Sequence, residues 1–184
     1  MEEAKLALAL VHHPVLDRAK KEVATNITNF DIHDIARACR VYGVDRYFIV
    51  HPSEEQLMFV SRVLDHWRVG PGQRFNPMRK TALTMVEPVA SLAEAKRLWG
   101  QPNVQTLATS AKDDNQRPIK SFREVREGLK SQPTLLVFGT GFGLAPGALE
   151  LCDACIEPVR GFGSEDYRHL SVRSAVSIIL DRLR

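Results

Sequence analysis

Three alternating glycines follow the most apolar short segment of the chain. Gly139, Gly141 and Gly143 come directly after Leu135 to Phe138, a run typical of a buried parallel strand. Glycine allows a positive φ and lets a ligand approach main-chain N–H and C=O groups closely. Ligands of open α/β sheets bind beyond the carboxyl ends of the strands. We therefore expect a ligand site here, with a simple tight turn as the alternative.

The spacing of these glycines excludes two common nucleotide motifs. Residues 138–144 lack the G-x-G-x-x-G spacing of a dinucleotide fingerprint, and no lysine follows them as in a P-loop. A second glycine loop, with Gly161 and Gly163, follows a predicted strand over 154–159. Two such loops at neighbouring strand ends could hold one ligand between them. No G-x-S-x-G occurs, which argues against a triad hydrolase.

Two predicted helices could add polar groups to such a site. A helix over 31–42, with Asp31 as its N-cap, carries His33, Arg37 and Arg40 on one face. That face either lies over a site or is simply solvated. A helix over 171–183 has Ser171 as its predicted N-cap, so its free N–H groups either hold an anionic group or only begin a docked helix.

The segment 61–80 is locally basic. Its charged side chains are Arg62, Arg68, Arg74, Arg79 and Lys80 against Asp65 alone. Five basic residues and one acidic residue give a local +4, with Trp67 and Phe75 interleaved. Glycines and prolines over 70–77 predict an irregular loop. Such a loop either grips phosphates and stacks a base, or is solvated with Trp67 in the core.

Two histidine and cysteine patterns carry less weight. His12-His13 with His33-Asp34 does not supply the ordered ligands of a metal hydrolase, so no metal is expected. Cys152-x-x-Cys155 follows a predicted helix and enters a strand, which is the reverse of a thioredoxin-like pair. We expect these two cysteines to be core or surface thiols.

The elements that must position these residues alternate between strands and helices. Strands are predicted over 6–11, 47–50, 84–89, 104–109, 135–138 and 154–159. Helices are predicted over 31–42, 54–67, 91–98, 121–130, 148–152 and 171–183. This alternation predicts one α/β domain over residues 1–184, with a mainly parallel sheet flanked by helices.

Composition limits the class of protein. The chain has 184 residues, 25 basic and 22 acidic, and its net charge of +3 is too small for a whole-surface nucleic-acid binder. A hydrophobic fraction of 44% is globular, and no apolar run approaches the roughly 18 residues of a membrane span. Three cysteines favour a reducing compartment, so we expect a cytoplasmic protein without a signal peptide or a membrane partner.

Taken together, these segments resemble the SPOUT methyltransferases. The likeness is greatest to their small stand-alone branch of S-adenosylmethionine-dependent RNA methyltransferases. The matching stretches are 28–43, 67–83, 106–112, 135–144 and 167–183. The resemblance covers essentially the whole chain in order, although no single stretch would be specific.

This resemblance implies a fold, a cofactor and a substrate class. The fold would be an α/β sheet with a C-terminal trefoil knot, a topology that periodicity alone would never suggest. The knot loops would bind S-adenosylmethionine at the interface of a homodimer. The reaction would be methyl transfer to RNA, such as tRNA or rRNA, and no DNA partner is expected.

The resemblance and the local chemistry together assign residue roles. Arg37 takes the place of the family's arginine, and Asp34 is a candidate base beside Glu165, Asp166 and His169. The cofactor-binding residues would be Thr109, Ser110, Phe138, Gly139, Thr140, Gly141, Gly143, Ile156, Pro158, Gly161, Leu170, Ser171, Val172 and Ala175. The basic segment nominates Arg68, Arg74, Arg79 and Lys80 for RNA binding. The alternative for Asp34 is an ion pair with Arg37, three residues later on the same helix.

Three positions depart from the tRNA ribose-methylating members. Asp31 and Ser171 stand where asparagine is usual, and Gly141 stands where those enzymes carry glutamate. These differences leave the methyl acceptor open between a ribose hydroxyl, a ring nitrogen and a molecule other than RNA. They also keep open a catalytically silent module that binds S-adenosylmethionine or another nucleotide.

Overall fold

A parallel sheet forms the centre of the fold in a computed structural model, which describes residues 4–112, 117–163 and 167–184. In this described part the sheet has seven strands, and each strand pairing is parallel. From edge to edge they are β5 (Val86–Val89), β4 (Arg46–Val50), β1 (Leu6–Val11), β8 (Thr134–Gly139), β6 (Gln105–Ala108), β9 (Ala154–Ile156) and β7 (Ile119–Lys120). Two short strands, β2 (Val15–Leu16) and β3 (Glu22–Val23), form a separate antiparallel hairpin.

Helices cover both faces of the sheet, which confirms the predicted fold class. They are α1 (Asn29–Val41), α2 (Glu54–Arg68), α3 (Gly72–Phe75), α4 (Pro77–Leu83), α5 (Leu92–Trp99), α6 (Phe122–Gly128), α7 (Pro146–Leu149) and α8 (Val172–Leu183). Helices α1, α2, α6 and α8 contribute to the core on one face, whereas α5 and α7 contribute to the core on the other. Within the described ranges, no helix is both long and apolar enough to cross a membrane.

The central strand β1 shows why its sequence, LALALV, suits this position. All six of its side chains are buried. Its leucines point to the core beneath α1, α2, α6 and α8, and its alanines point to the opposite core beneath α5 and α7. A strand that is covered on both faces needs apolar residues throughout, since successive side chains alternate between the faces.

The start of α1 corrects one sequence-based prediction. Asp31 is not the N-cap, because the helix begins at Asn29 and Thr28 caps it. The Thr28 hydroxyl accepts the Asp31 N–H at 3.3 Å, and the Asp31 carboxylate accepts the Thr28 N–H at 3.2 Å. In this reciprocal capping box, Asp31 is the third residue of the helix. The sequence pattern predicted it at the N-cap, which lies three positions earlier.

The segment over 70–77 is more regular than its glycines and prolines predict. It holds the short helix α3 and the first residue of α4. Pro77 occupies the first turn of α4, where the missing N–H costs nothing, and the Asn76 side chain accepts the Arg79 N–H at 3.0 Å. The prediction of an irregular loop was therefore wrong, because a proline at that position starts a helix.

The guanidinium of Arg68 joins three parts of the chain. It donates to the carbonyl oxygen of Leu83 from Nε at 3.1 Å and from Nη2 at 2.6 Å. It also reaches the carbonyl oxygens of Thr84 and Val86, at the entry to β5. The end of α2 is thereby tied to the connection between α4 and β5, which gives Arg68 a structural role.

Strand register determines which loops lie together. Val11 pairs with Gly139 on one side and with Val50 on the other, and Ala108 pairs with both Val137 and Cys155. Because every strand runs in the same direction, the segments after β4, β1, β8, β6 and β9 leave the sheet from one side. We call this side the carboxyl edge.

Candidate functional site

Three groups of predicted cofactor residues meet at the carboxyl edge. Gly139 ends β8, Thr109 follows β6 beside it, and Ile156 ends β9 next along the sheet. The Thr109 N–H donates to the Val137 carbonyl oxygen at 2.9 Å and continues the pairing of β6 with β8. The sheet order therefore places β6 between β8 and β9, and it brings Thr109, Gly139 and Ile156 to one edge although they are distant in sequence.

The glycine loop, residues 139–144, packs on the segment that forms β2. The Thr140 N–H donates to the Val11 carbonyl oxygen at 3.2 Å, and the Phe142 N–H donates to the Leu16 carbonyl oxygen at 2.8 Å. In return, the Gly143 carbonyl oxygen accepts the Leu16 N–H at 2.8 Å. Several of the loop's polar backbone groups are thus used inside the fold, where the sequence predicted contact with a ligand.

Two of these glycines are required by the loop itself. Gly141 has φ +58°, and a Cβ there would lie 2.8 Å from the Leu16 carbonyl oxygen. A Cβ on Gly139 would lie 2.9 Å from the Leu144 nitrogen. Any larger residue at either position has to displace backbone, so the glycine pattern reports a tight turn as well as a candidate ligand site.

The remaining cofactor candidates are hydroxyl-bearing, glycine and apolar residues of β8, of the segments after β6 and β9, and of the first turns of α8. The Thr109 hydroxyl donates to the Val137 carbonyl oxygen at 3.2 Å, and the Ser110 hydroxyl oxygen accepts the Lys112 N–H at 3.0 Å. Ser171 caps α8 as predicted, because its hydroxyl oxygen accepts the Ser174 N–H at 3.2 Å. The other members range from buried to exposed: Phe138, Ile156, Pro158, Gly161, Leu170, Val172 and Ala175.

An ion pair that the sequence analysis missed joins the starts of α1 and α8. Arg173 Nη1 lies 3.0 Å from Asp31 Oδ1, and Arg173 Nε lies 3.7 Å from Asp34 Oδ2. Asp31 is only 5% exposed, and the guanidinium also lies 5.5 Å from the Phe30 ring centroid. Arg173 falls inside the stretch 167–183 that carried the family resemblance, but its partner is 142 residues away in sequence.

The two catalytic candidates do not pair with each other. Asp34 lies beside Arg173 of α8, which replaces the local ion pair with Arg37 that was the alternative. Arg37 is exposed on α1, one turn after Asp34. Among the other candidate bases, the His169 ring lies edge-on to Tyr167 with centroids 5.8 Å apart, and Glu165 and Asp166 lie outside the described residues.

The basic segment has most of its cations in internal contacts. The Arg79 guanidinium lies 4.5 Å from the Trp67 ring centroid, and Lys80 Nζ donates to Gln73 Oε1 at 2.8 Å. Trp67 is half-buried and packs against the core, so its ring is not an open stacking surface. In contrast, Arg74 is exposed and Phe75 is 88% exposed at the end of α3.

The cysteine pair has the environment of core thiols. Cys152 and Cys155 are both free and buried. Burial raises the pKa of Cys152 to about 12 and also raises the pKa of Cys155, which keeps both thiols protonated and unreactive.

A buried histidine lies beneath the glycine loop. His12 follows β1 and is 1% exposed. Its Nδ1 lies 3.0 Å from the Thr25 hydroxyl, which in turn lies 2.5 Å from the Thr140 hydroxyl. Burial lowers the pKa of His12 to about 4, although Asp31 and the Thr25 backbone act in the opposite direction. Its sequence pattern suggested only a metal ligand, and no metal site was expected there.

Comparison with known proteins identifies the family. The family described as SAM-dependent RNA methyltransferase matches residues 5–184. The chain belongs to this family. A tRNA (guanine-N(1)-)-methyltransferase of Oleidesulfovibrio alaskensis is 43% identical over 183 residues, which are 97% of this chain but only 41% of that relative. An uncharacterized protein of Aquifex aeolicus is 34% identical over 181 residues, which are 96% of this chain and 86% of that protein.

A solved structure shows the same fold in a cofactor complex. The SpoU methyltransferase AviRb of Streptomyces viridochromogenes, determined with AdoMet, superposes with a TM-score of 0.56 at 20% identity. The superposition covers 100% of this chain and 58% of AviRb. The family member described here therefore has the α/β fold of the SPOUT class, and the trefoil knot stays a prediction.

The buried histidine predicts how acid destabilises the fold. A histidine with a lowered folded-state pKa stabilises the protein above its unfolded pKa of about 6.5, and this stability is lost as the pH falls toward the folded pKa. Between pH 7 and pH 5 the wild type should lose about 2 kcal/mol more unfolding free energy than His12→Asn. Urea unfolding at both pH values measures this difference.

The neighbouring histidine supplies the control for that measurement. His13 is partly exposed and lies 3.5 Å from Glu22. We expect His13→Asn to lose as much stability as the wild type over the same pH interval. Equal losses in wild type and His12→Asn would contradict a neutral, buried His12.

Proposed function

We propose that this chain binds S-adenosylmethionine at the carboxyl edge and transfers its methyl group to RNA. The observation that carries the proposal is the convergence of the ends of β8, β6 and β9 on one edge, in a chain of this family. Ligands of parallel α/β sheets bind at such edges. The chain spans only 41% of the length of the tRNA (guanine-N(1)-)-methyltransferase that it resembles. The activity of that whole protein therefore comes to this chain only as a proposal.

The proposed cofactor residues fit a neutral nucleoside better than a polyphosphate. The set contains hydroxyl groups, glycines and apolar side chains, and it contains no lysine or arginine. Thr109 and Ser110 would meet the adenosine, whereas the loop with Gly161 and the start of α8 would close over the rest. A nucleotide with several phosphates would need cationic partners, which this set lacks.

Once bound, the cofactor would supply an electrophilic methyl group on a sulfonium. The protein then has to orient the acceptor, exclude water and remove a proton. Arg37 would hold a phosphate or polarise the acceptor, because its guanidinium is exposed on α1. Asp34 would accept the proton, and Arg173 at 3.7 Å would keep that carboxylate beside the start of α8.

The geometry of Asp31 argues against the ribose chemistry of the better-known relatives. Its carboxylate is occupied by the Thr28 hydroxyl at 2.6 Å and by Arg173 at 3.0 Å. It therefore serves as a structural anchor and cannot donate as an asparagine amide does. This observation favours a ring nitrogen as the methyl acceptor.

We also propose that the active unit is a homodimer with the site at the interface. Large apolar side chains are exposed on the segments that flank the carboxyl edge. They are Phe30, Phe142, Phe162, Tyr167 and Leu170. A second copy of the chain would cover these side chains and shield the methyl group from water.

For the RNA surface, we propose Arg74 as the main free cation and Phe75 as a stacking side chain. The α3 helix holds both residues at an exposed position, and Met78 beside them is 82% exposed. Arg79 and Lys80 would add positive charge while keeping their internal contacts. Arg68 would contribute mainly through the fold, because its guanidinium is engaged by carbonyl oxygens.

Cofactor binding tests the glycine loop. Wild type should bind S-adenosylmethionine in calorimetry, whereas Gly141→Val should bind at least tenfold more weakly. The reason is that valine disfavours φ +58° and would press on Leu16. Gly147→Ala is the control, since a Cβ there meets nothing within 4 Å. Equal affinities of both folded variants would refute the loop as the cofactor site.

Methyl transfer separates an enzyme from a silent binding module. Wild type should transfer labelled methyl from S-adenosylmethionine to total RNA, and Arg37→Ala should be about 100-fold slower. Arg40→Ala, another exposed arginine of α1, should stay near the wild-type rate. Nucleoside mass spectrometry would identify the acceptor atom. Equally low incorporation by wild type and Arg37→Ala would favour the silent module.

RNA affinity tests the exposed surface of α3. Arg74→Ala should weaken RNA binding and reduce the slope of log affinity against log salt by about 1. Phe75→Ala should weaken binding to unpaired RNA without changing that slope, because stacking releases no counterions. Arg123→Ala, at an exposed position of α6, is the control. Unchanged affinities of both α3 variants at low salt would exclude this surface.

A further inference from the structure

A chain of hydroxyl groups connects β1 to the glycine loop. It begins at His12 Nδ1, 3.0 Å from Thr25 Oγ1, and continues over 2.5 Å to Thr140 Oγ1. It ends where the Thr140 hydroxyl meets the Val11 carbonyl oxygen at 3.1 Å. This series of hydrogen bonds therefore starts at His12 and ends at Val11, the residue before it. Between them it includes two threonines from distant segments.

The donor and acceptor of each hydrogen bond in this series follow from the Val11 carbonyl group at its end. A carbonyl oxygen can only accept, so the Thr140 hydroxyl gives its single proton to Val11. Thr25 must then donate its own proton to Thr140. The Thr25 oxygen is left to accept, and the group that donates to it is His12 Nδ1–H.

With Nδ1 as the donor, the other nitrogen of the neutral His12 ring, Nε2, is unprotonated and carries a lone pair. Nε2 is buried and has no hydrogen-bond partner in the described part of the chain. The groups that face the ring are Asp31 of α1, the Thr25 backbone and His51, whose ring centroid lies 6.4 Å away. Burial lowers the pKa of His12 by more than the Asp31 carboxylate raises it, and the ring is therefore neutral.

His12 also holds the approach to α1 through its backbone. Its carbonyl oxygen accepts the Thr25 N–H at 2.9 Å. The ring and the backbone of His12 therefore both form hydrogen bonds with Thr25. Thr25 lies three residues before Thr28, the N-cap of the helix that carries Asp34 and Arg37. The glycine loop and the start of the catalytic helix are thereby fixed to one point at the end of β1.

Resting on the proposed function, we propose that His12 is a positioning residue of the methyltransferase site. By donating from Nδ1 it orders the Thr25–Thr140 chain, and this chain sets the glycine loop against α1. His12 itself does not touch the cofactor or the RNA, because it lies beneath the loop.

The tautomer can be measured without any cofactor. Nitrogen NMR of labelled protein should show His12 with a protonated Nδ1 and a bare Nε2, unchanged between pH 7.5 and pH 5.5. The signals of His13, whose ring is partly exposed, give the reference in the same spectra. A protonated Nε2 on His12, or a titration of His12 near pH 6.5, would overturn the proposal.

Cofactor affinity then tests the positioning role. His12→Leu removes the donor and should weaken S-adenosylmethionine binding about tenfold, whereas His12→Asn keeps an N–H near the Nδ1 position and should bind within about threefold of wild type. Thr25→Val should match His12→Leu, and the double variant should be no worse than either single one. His13→Asn should bind as wild type does.

The outcomes separate this inference from the proposed function. If wild type does not bind the cofactor, the proposed function fails, and the NMR tautomer still decides the hydrogen-bond chain. If wild type and folded His12→Leu bind equally well, the positioning role is wrong while the proposed function stands. Should His12→Leu not fold, Thr25→Val carries the same comparison, because Thr25 is not among the proposed cofactor-binding residues.

Discussion

The pairing of β8 with β1 on one side and β6 on the other is the constraint on which the rest of the structure depends. It places Gly139 beside Val11 and, through Val137, puts Thr109 at the same edge. A shift of one residue along this parallel ladder would turn the alternating side chains of β8 to the wrong faces and move the glycine loop away from β2. The site is therefore a consequence of sheet register, and the fully buried strands of the centre hold that register in place.

Two contacts then connect the sheet edge to the helices. Arg173 reaches from the first turn of α8 to Asp31 and Asp34 on α1, and it joins two parts of the chain that are 142 residues apart. His12 ties Thr25, just before α1, to Thr140 in the glycine loop. Both contacts converge on the start of α1, so the residues proposed for catalysis lie on a helix that is anchored from both sides. Such anchoring suits a reaction that depends mainly on orientation.

The sequence was a good guide to the fold and a partial guide to the site. Buried strands such as β1 and β8 are strongly apolar, and helices such as α2 and α8 have clear caps, so both kinds of element were predicted within a few residues. The two-residue strands β2 and β3 have no periodic signal, and Pro77 was interpreted as a break although it starts α4. Local pattern was enough to nominate Thr140 and Gly141 for a ligand loop, which stays a prediction, but it did not reveal the partners of His12 and Arg173. Those contacts join segments far apart in sequence, and no local pattern encodes them.

The most direct test of the account is a crystal structure of the protein with bound S-adenosylmethionine. The cofactor should lie at the carboxyl edge, against the glycine loop and the segment after β6, with its methyl group facing the start of α1. The Arg173–Asp31 contact should be retained in the complex. Cofactor density elsewhere, for example in the groove lined by Arg40, Arg46 and Glu87 at the opposite ends of β4 and β5, would contradict the central claim.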